Sequence, residues 1–335
     1  MRIAIVGAGA IGGYLGGRLS LAGEDVVFLA RNRNLAAISA DGFRLIGEDG
    51  REEHAANARA AADAGAAGPQ DAVLLTVKAH QVKDVLPALQ QLVGPETMLV
   101  TMTNGVPWWY FQRLPGPWLG QALESVDPGG VLAAAIDPAR VIGSVVYPAA
   151  ELVAPGVVRV IEGNRFTLGE LDGTRSERIE RLSQALMGAG FKAPVTKDIR
   201  AEIWLKLWGN LSFNPISALT HATLEGICRD AGGRAVVAAM MKEAERVAHK
   251  LGVVFKLSID KRIAGAEAVG AHKTSMLQDV EHGRALELDA LIGSVVELAR
   301  ITSTPVPTIE AIHHTAGLLA RTLAAAEGRL AIQPR

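Results

Sequence analysis

The stretch Arg2-Ile-Ala-Ile-Val-Gly7-Ala-Gly9-Ala-Ile-Gly12-Gly13 decides the fold. Arg2 to Val6 is a short β-branched, apolar run of the kind that forms a strand buried on both faces. The three glycines that follow have the G-x-G-x-x-G spacing of a strand-to-helix turn. Gly7 makes the turn, Gly9 lets a ligand approach the backbone, and Gly12 lets the helix lie close to the strand. Working outward, the sequence predicts a helix over Gly13–Ala22 closed by Gly23, then a second strand over Asp25–Leu29. Together these make a βαβ unit. A signal-peptide or membrane reading of Ile3–Gly17 fits poorly, because Arg18 ends the run short of the roughly 20 residues of a spanning helix.

A βαβ unit with this spacing is a dinucleotide fingerprint, in which a diphosphate rests on the helix N-terminus. Gly7, Ala8, Gly9, Ala10, Ile11 and Gly12 are therefore candidate cofactor-binding residues. The second strand ends in Leu29-Ala30-Arg31-Asn32-Arg33, without the acid that usually accepts the ribose hydroxyls of NAD. Guanidinium groups there suit a 2′-phosphate instead, so Arg31 points to NADPH.

Further strands are predicted over Asp71–Val77, Thr97–Thr101, Arg140–Pro148, Gly156–Ile161, Arg165–Leu168 and Phe191–Val195. A strand and turn are expected over Asp41–Arg51, and a helix or loose connection over Ala55–Ala67. Lys78 and Asn104 each follow a strand at its carboxyl end, where ligands sit in parallel sheets. Trp108-Trp109-Tyr110-Phe111 opens a Pro- and Gly-rich excursion to Gly130. Its aromatics either cover a ligand or partner, or anchor a local core.

From Asp198 on, the pattern is helical. Lys206, Asn210 and Asn214 recur at i, i+4 and i+8, which puts an ammonium and two amides on one face, among Ile203, Trp204, Leu207, Trp208 and Leu211. Such a stripe is either a solvated face or, if buried, needs hydrogen-bond partners such as a polar substrate. Pro215 is expected to interrupt or kink this helix. Ser275 with Gln278 has capping-box spacing, and Glu287 precedes a helix running through Arg300.

The 335 residues suggest two domains, 1–195 and 196–335. Composition is that of a globular chain, 49% hydrophobic and 21% charged. The 34 Lys and Arg balance 35 Asp and Glu, which argues against nucleic acid as a partner. The single Cys228 excludes an intramolecular disulfide and a CxxC site and fits a reducing, cytoplasmic setting. No His or Cys spacing suggests a metal site. No membrane association is expected. The apolar helix expected over Ala235–Leu251 offers a face for a homodimer.

Taken together, Gly7-x-Gly9-x-x-Gly12, Arg31, Val77-Lys78-Ala79, Asn104-Gly105, Arg200-Ala-Glu-Ile-Trp-x-Lys206-Leu-x-x-Asn210-x-x-x-Asn214-Pro215, Ser275-Met-Leu-Gln-Asp279 and Glu287-x-Asp289 resemble the ketopantoate reductase (2-dehydropantoate 2-reductase) family. The resemblance runs from residue 1 to about 315. It implies an α/β fold: an N-terminal Rossmann-type dinucleotide-binding domain, then an all-helical C-terminal domain like that of 6-phosphogluconate dehydrogenase, with the active site in the cleft between them. It also implies reduction of a 2-oxo acid by NADPH, with ketopantoate giving pantoate in pantothenate biosynthesis. By position, Lys206 is implied as general acid and Glu287 as the group orienting it. Asn104, Asn210, Asn214 and Ser275 are implied to bind substrate, and Arg31, Lys78 and Asn104 to serve the cofactor. The stretch after Asn104 is longer than in the best-known members. Two alternatives stay open: a reductase of the same architecture acting on another oxo or hydroxy acid, and a non-catalytic NADPH-binding sensor.

Overall fold

The computed structural model describes residues 1–328. The described residues divide into two compact units, Met1–Ala122 with Gly129–Ile199, and Leu123–Pro128 with the described residues from Arg200. The helical part thus takes in six residues of the Pro- and Gly-rich excursion. The Glu297 carboxylate secures them, accepting the Glu124 and Ser125 N–H groups at 2.8 Å each and the Ser125 hydroxyl at 2.5 Å.

The first unit runs β1 (Arg2–Val6), α1 (Ala10–Leu21), β2 (Asp25–Leu29), α2 (Asn32–Asp41), β3 (Phe43–Ile46), β4 (Glu52–Ala55), β5 (Arg59–Ala61), β6 (Gln70–Leu75), α3 (Leu86–Leu92) and β7 (Val93–Thr101). After the excursion come α4 (Val131–Ala135), β8 (Val141–Val146), β9 (Ala149–Ala154), β10 (Val157–Glu162), β11 (Phe166–Glu170) and α5 (Glu177–Gly188). Seven strands form one sheet in the order β11-β8-β7-β6-β1-β2-β5, parallel except for β11. Strand order reverses around β1, the position at which open α/β sheets bind ligands.

A second sheet, β4-β3-β10-β9, lies against α1. The glycines of α1 make room on both sides. A Cβ on Gly16 would lie 2.3 Å from the Phe28 ring of the large sheet, and one on Gly13 would lie 2.3 Å from Phe43 of the small sheet. Phe28 and Phe43 stack with ring centroids 5.0 Å apart, joining the two layers into one core.

Several sequence expectations need correction. Ala55–Ala67 is more than a helix or loose connection, since Arg59–Ala61 adds an edge strand to β2 ahead of a 3₁₀ turn at Ala64–Ala66. β9 has no strand pattern in the sequence: its side chains are mostly exposed and show no alternation, and pairing with β10 alone defines it. Phe191–Val195 forms only isolated bridges, at Lys192 and Val195, and the intervening Pro194 has no N–H for a ladder. Trp108, Trp109, Tyr110 and Phe111 are all buried, so a local core takes the aromatics. The Trp109 indole donates to Thr101 Oγ1 at 2.8 Å and lies over Gly143 of β8.

The second unit consists of α6 (Ile199–Thr220), which starts at the boundary, α7 (Leu224–Arg229), α8 (Ala231–Lys250), α9 (Ile259–Ala268), α10 (Ser275–Glu281), α11 (Ser294–Ile301) and α12 (Pro307–Ala325). α6 continues through Pro215 to Thr220 instead of ending there. Its Trp204 and Trp208 are fully buried; the Trp208 indole donates to the Met241 carbonyl at 2.8 Å and stacks on Phe255. The apolar face of α8, including Val237, Met240, Met241, Ala244 and Val247, is buried within this unit's own core. Among the described residues, no helix is long and apolar enough to cross a membrane.

Candidate functional site

In the first unit the candidate residues converge through sheet order. The glycine loop follows β1, Arg31 follows β2, Lys78 follows β6 and Asn104 follows β7, and these are four neighbouring parallel strands. With strands about 4.8 Å apart, the row spans roughly 15 Å along the carboxyl edge.

The loop is built around positions that only glycine fits. Gly7 has φ +115°, where a Cβ would also lie 2.9 Å from Val77 Cγ1. A Cβ on Gly12 would lie 2.0 Å from the Gly7 carbonyl oxygen, so only glycine allows α1 to start here. Gly9 differs: nothing lies within 4 Å of its would-be Cβ. No protein atom requires a glycine at that position, which leaves room for a ligand group to approach. Ala8 is buried, and Ala10 and Ile11 begin α1.

Thr76 and Asn34 carry no motif that marks them in the sequence. The Thr76 hydroxyl donates to the Gly7 carbonyl at 2.7 Å, and Asn34 Nδ2 donates to the Ala8 carbonyl at 2.5 Å. Both are polar residues next to a motif, and only the folded geometry shows what they hold. Arg31 is the exposed N-cap of α2, and Arg33 is exposed in its first turn, which holds no acid. Lys78 caps a 3₁₀ turn, its N–H donating to Gln81 Oε1 at 3.1 Å.

In the second unit α6 sets the orientation. At about 100° per residue, Trp204, Trp208 and Leu211 lie roughly opposite Lys206. Anchoring those side chains fixes the helix rotation and hence where the polar stripe faces. Lys206 and Asn210 are partly buried and Asn214 fully so, which makes this more than a solvated face. Asn214 Nδ2 stands 3.5 Å from Ser275 Oγ. Ser275 is exposed at the first position of α10, and the cap is Thr274, whose hydroxyl accepts the Leu277 N–H at 3.2 Å. The capping role expected of Ser275 therefore belongs to its neighbour, leaving the Ser275 hydroxyl available to the stripe.

Glu287 is partly buried just ahead of a π-helical turn at Asp289–Gly293, a local irregularity common near functional sites. Burial pulls the Lys206 ammonium down from its ordinary value to about 8, while the Glu287 carboxylate acts in the opposite direction. An ammonium poised near neutral pH is suited to giving up a proton. Among the described residues, no cluster of three or more His, Cys, Asp or Glu is placed to hold a metal.

Family models described as ketopantoate reductase PanE/ApbA match residues 3–108, and as its C-terminal part, residues 198–320. A 2-dehydropantoate 2-reductase of Mesorhizobium japonicum is 55% identical over 313 residues, 93% of this chain and 95% of that protein. Among solved structures, a candidate ketopantoate reductase from Ralstonia solanacearum MolK2 is 42% identical with a TM-score of 0.91, covering 96% of this chain and 98% of its own. The 2-dehydropantoate 2-reductase of Geobacter metallireducens GS-15 is 28% identical with a TM-score of 0.83, covering 96% and 100%. Two family models that together span most of the chain, and a relative more than half identical along nearly all of it, show that this protein belongs to the ketopantoate reductase family of oxidoreductases.

Proposed function

We propose that this chain reduces a 2-oxo acid with NADPH, and that the acid is 2-dehydropantoate, giving pantoate. The observation that carries the reading is the polar stripe of α6, where Lys206, Asn210 and Asn214 share one face and Asn214 stands 3.5 Å from Ser275 Oγ; burial lowers the Lys206 ammonium to about 8, and Glu287 opposes that shift. The substrate is supported by the Mesorhizobium and Geobacter relatives, both named as 2-dehydropantoate 2-reductases. NADPH is supported by the glycine loop that fits a diphosphate and by Arg31 and Arg33 at an acid-free N-terminus of α2.

When bound, the cofactor supplies hydride to the carbonyl carbon. The residues of the chain handle charge and the proton. As the carbonyl oxygen becomes an alkoxide, Lys206 Nζ–H donates to it and transfers its proton, leaving a hydroxyl and a neutral amine. Glu287 favours the charged lysine beforehand, so the proton is present when it is needed. Asn104, Asn210, Asn214 and the Ser275 hydroxyl hold the substrate's oxygens, and Lys78 serves the cofactor. A small-molecule acid as partner and a cytoplasmic setting belong to the same proposal, the latter supported by the free, buried Cys228.

The test is steady-state NADPH oxidation with ketopantoate against a set of bulkier 2-oxo acids. Highest kcat/KM with ketopantoate is expected. Preference for another acid by tenfold or more would retain the chemistry and replace the substrate, and cofactor binding without turnover would make the protein a sensor.

A further inference from the structure

Asn34 stands where three pieces of the first unit meet. It lies in the first turn of α2, its Nδ2 donates to the Ala8 carbonyl at 2.5 Å, and its Oδ1 accepts the Gly156 N–H at 2.9 Å. The two bonds fix the amide's orientation, since a carbonyl needs a donor and an N–H needs an acceptor. Gly156 is itself held: its carbonyl accepts the Arg44 N–H at 2.8 Å, and its φ of +72° places it in the turn joining β9 to β10. The small sheet thereby supports Asn34 from behind, and Asn34 supports the glycine loop.

The bond to Ala8 constrains a direction. The peptide Ala8–Gly9 is planar and trans, so its C=O and N–H point in opposite directions. With the Ala8 oxygen drawn to Asn34, the Gly9 N–H is aimed the other way. Gly9 is exposed, is the N-cap of α1, and has open space at its would-be Cβ. Donors there face the position where an anion is held at a helix N-terminus.

We infer that Asn34 is a positioning residue that aims the Gly9 N–H at the cofactor diphosphate and ties this loop, through Gly156, to the small sheet. The inference rests on the cofactor reading above. It assigns Asn34 to the diphosphate that NADPH and NADH share, although it is three residues from Arg31, which is assigned to the 2′-phosphate.

The test uses Asn34→Asp, which keeps the size and the acceptor for Gly156 but replaces the donor to Ala8 with an oxygen, and Asn34→Ala. Nucleotide fluorescence titrations would measure NADPH and NADH affinity for each folded variant and the wild type. The expected result is a weakening of about tenfold for both nucleotides alike, the size of a well-made hydrogen bond. Phosphorus NMR should show the bound diphosphate resonances moved and the 2′-phosphate resonance in place. Unchanged affinity in Asn34→Asp, a loss confined to NADPH, or loss of folding in both variants would overturn the inference. Wild-type protein that binds neither nucleotide would instead remove the cofactor reading beneath it.

Discussion

Lys206 and Glu287 come from elements some 80 residues apart in the chain, yet the carboxylate acts on the ammonium and partly offsets the burial that lowers its pKa to about 8. Because the proton donor must be charged, kcat should decline as pH rises through about 8. Glu287→Gln removes the offsetting carboxylate and should move that limb to lower pH, and pH-rate profiles of the two proteins check it. Lys206→Ala should lower turnover by a factor of hundreds or more with NADPH binding largely kept, on the usual scale of a general acid.

The same shift has a consequence for stability. The folded-state pKa lies below that of the unfolded chain, so between about 8 and the ordinary lysine value the unfolded state binds more protons. Lys206 therefore makes folding more favourable as pH rises through that window, and its cost is present in full below it. Urea unfolding of wild type and Lys206→Met across this range should show the rise in the wild type and a smaller one in the variant.

Arg31 caps α2 with its side chain exposed. Arg31→Ala should weaken NADPH by tenfold or more and leave NADH nearly unchanged, as measured by titration. Equal losses would show that the 2′-phosphate is not read there.

Asn214 and Ser275, 3.5 Å apart, should act as a pair on the substrate. Ser275→Ala should raise KM for the oxo acid several-fold and have little effect on thermal stability, because Thr274 supplies the helix cap. Kinetics together with a melting curve separate the two roles.

Gly143 supports the aromatic segment. A Cβ there would lie 2.7 Å from the Trp109 ring and 2.8 Å from Ile199, so Gly143→Ala should destabilise by about 1–3 kcal/mol in chemical unfolding.

Local sequence determined much of this protein. β1, the glycine turn and β2 are short-range features, set by β-branched burial and by positions where only glycine fits, and they were legible to within a few residues. The i, i+4, i+8 spacing of Lys206, Asn210 and Asn214 likewise follows from helix geometry alone, and the family resemblance rested on these same motifs. Tertiary structure decided the rest, because it depends on partners distant in the chain. Pairing with β2 made a strand of Arg59–Ala61, and pairing with β10 made one of Ala149–Ala154, neither with a pattern of its own. The anchoring of Trp208 on α8 fixed which way the stripe faces, and burial together with Glu287 set the Lys206 proton affinity. Asn34 had no motif to mark it, since its function depends on Ala8 and Gly156, 26 and 122 residues away, which only folding brings to it.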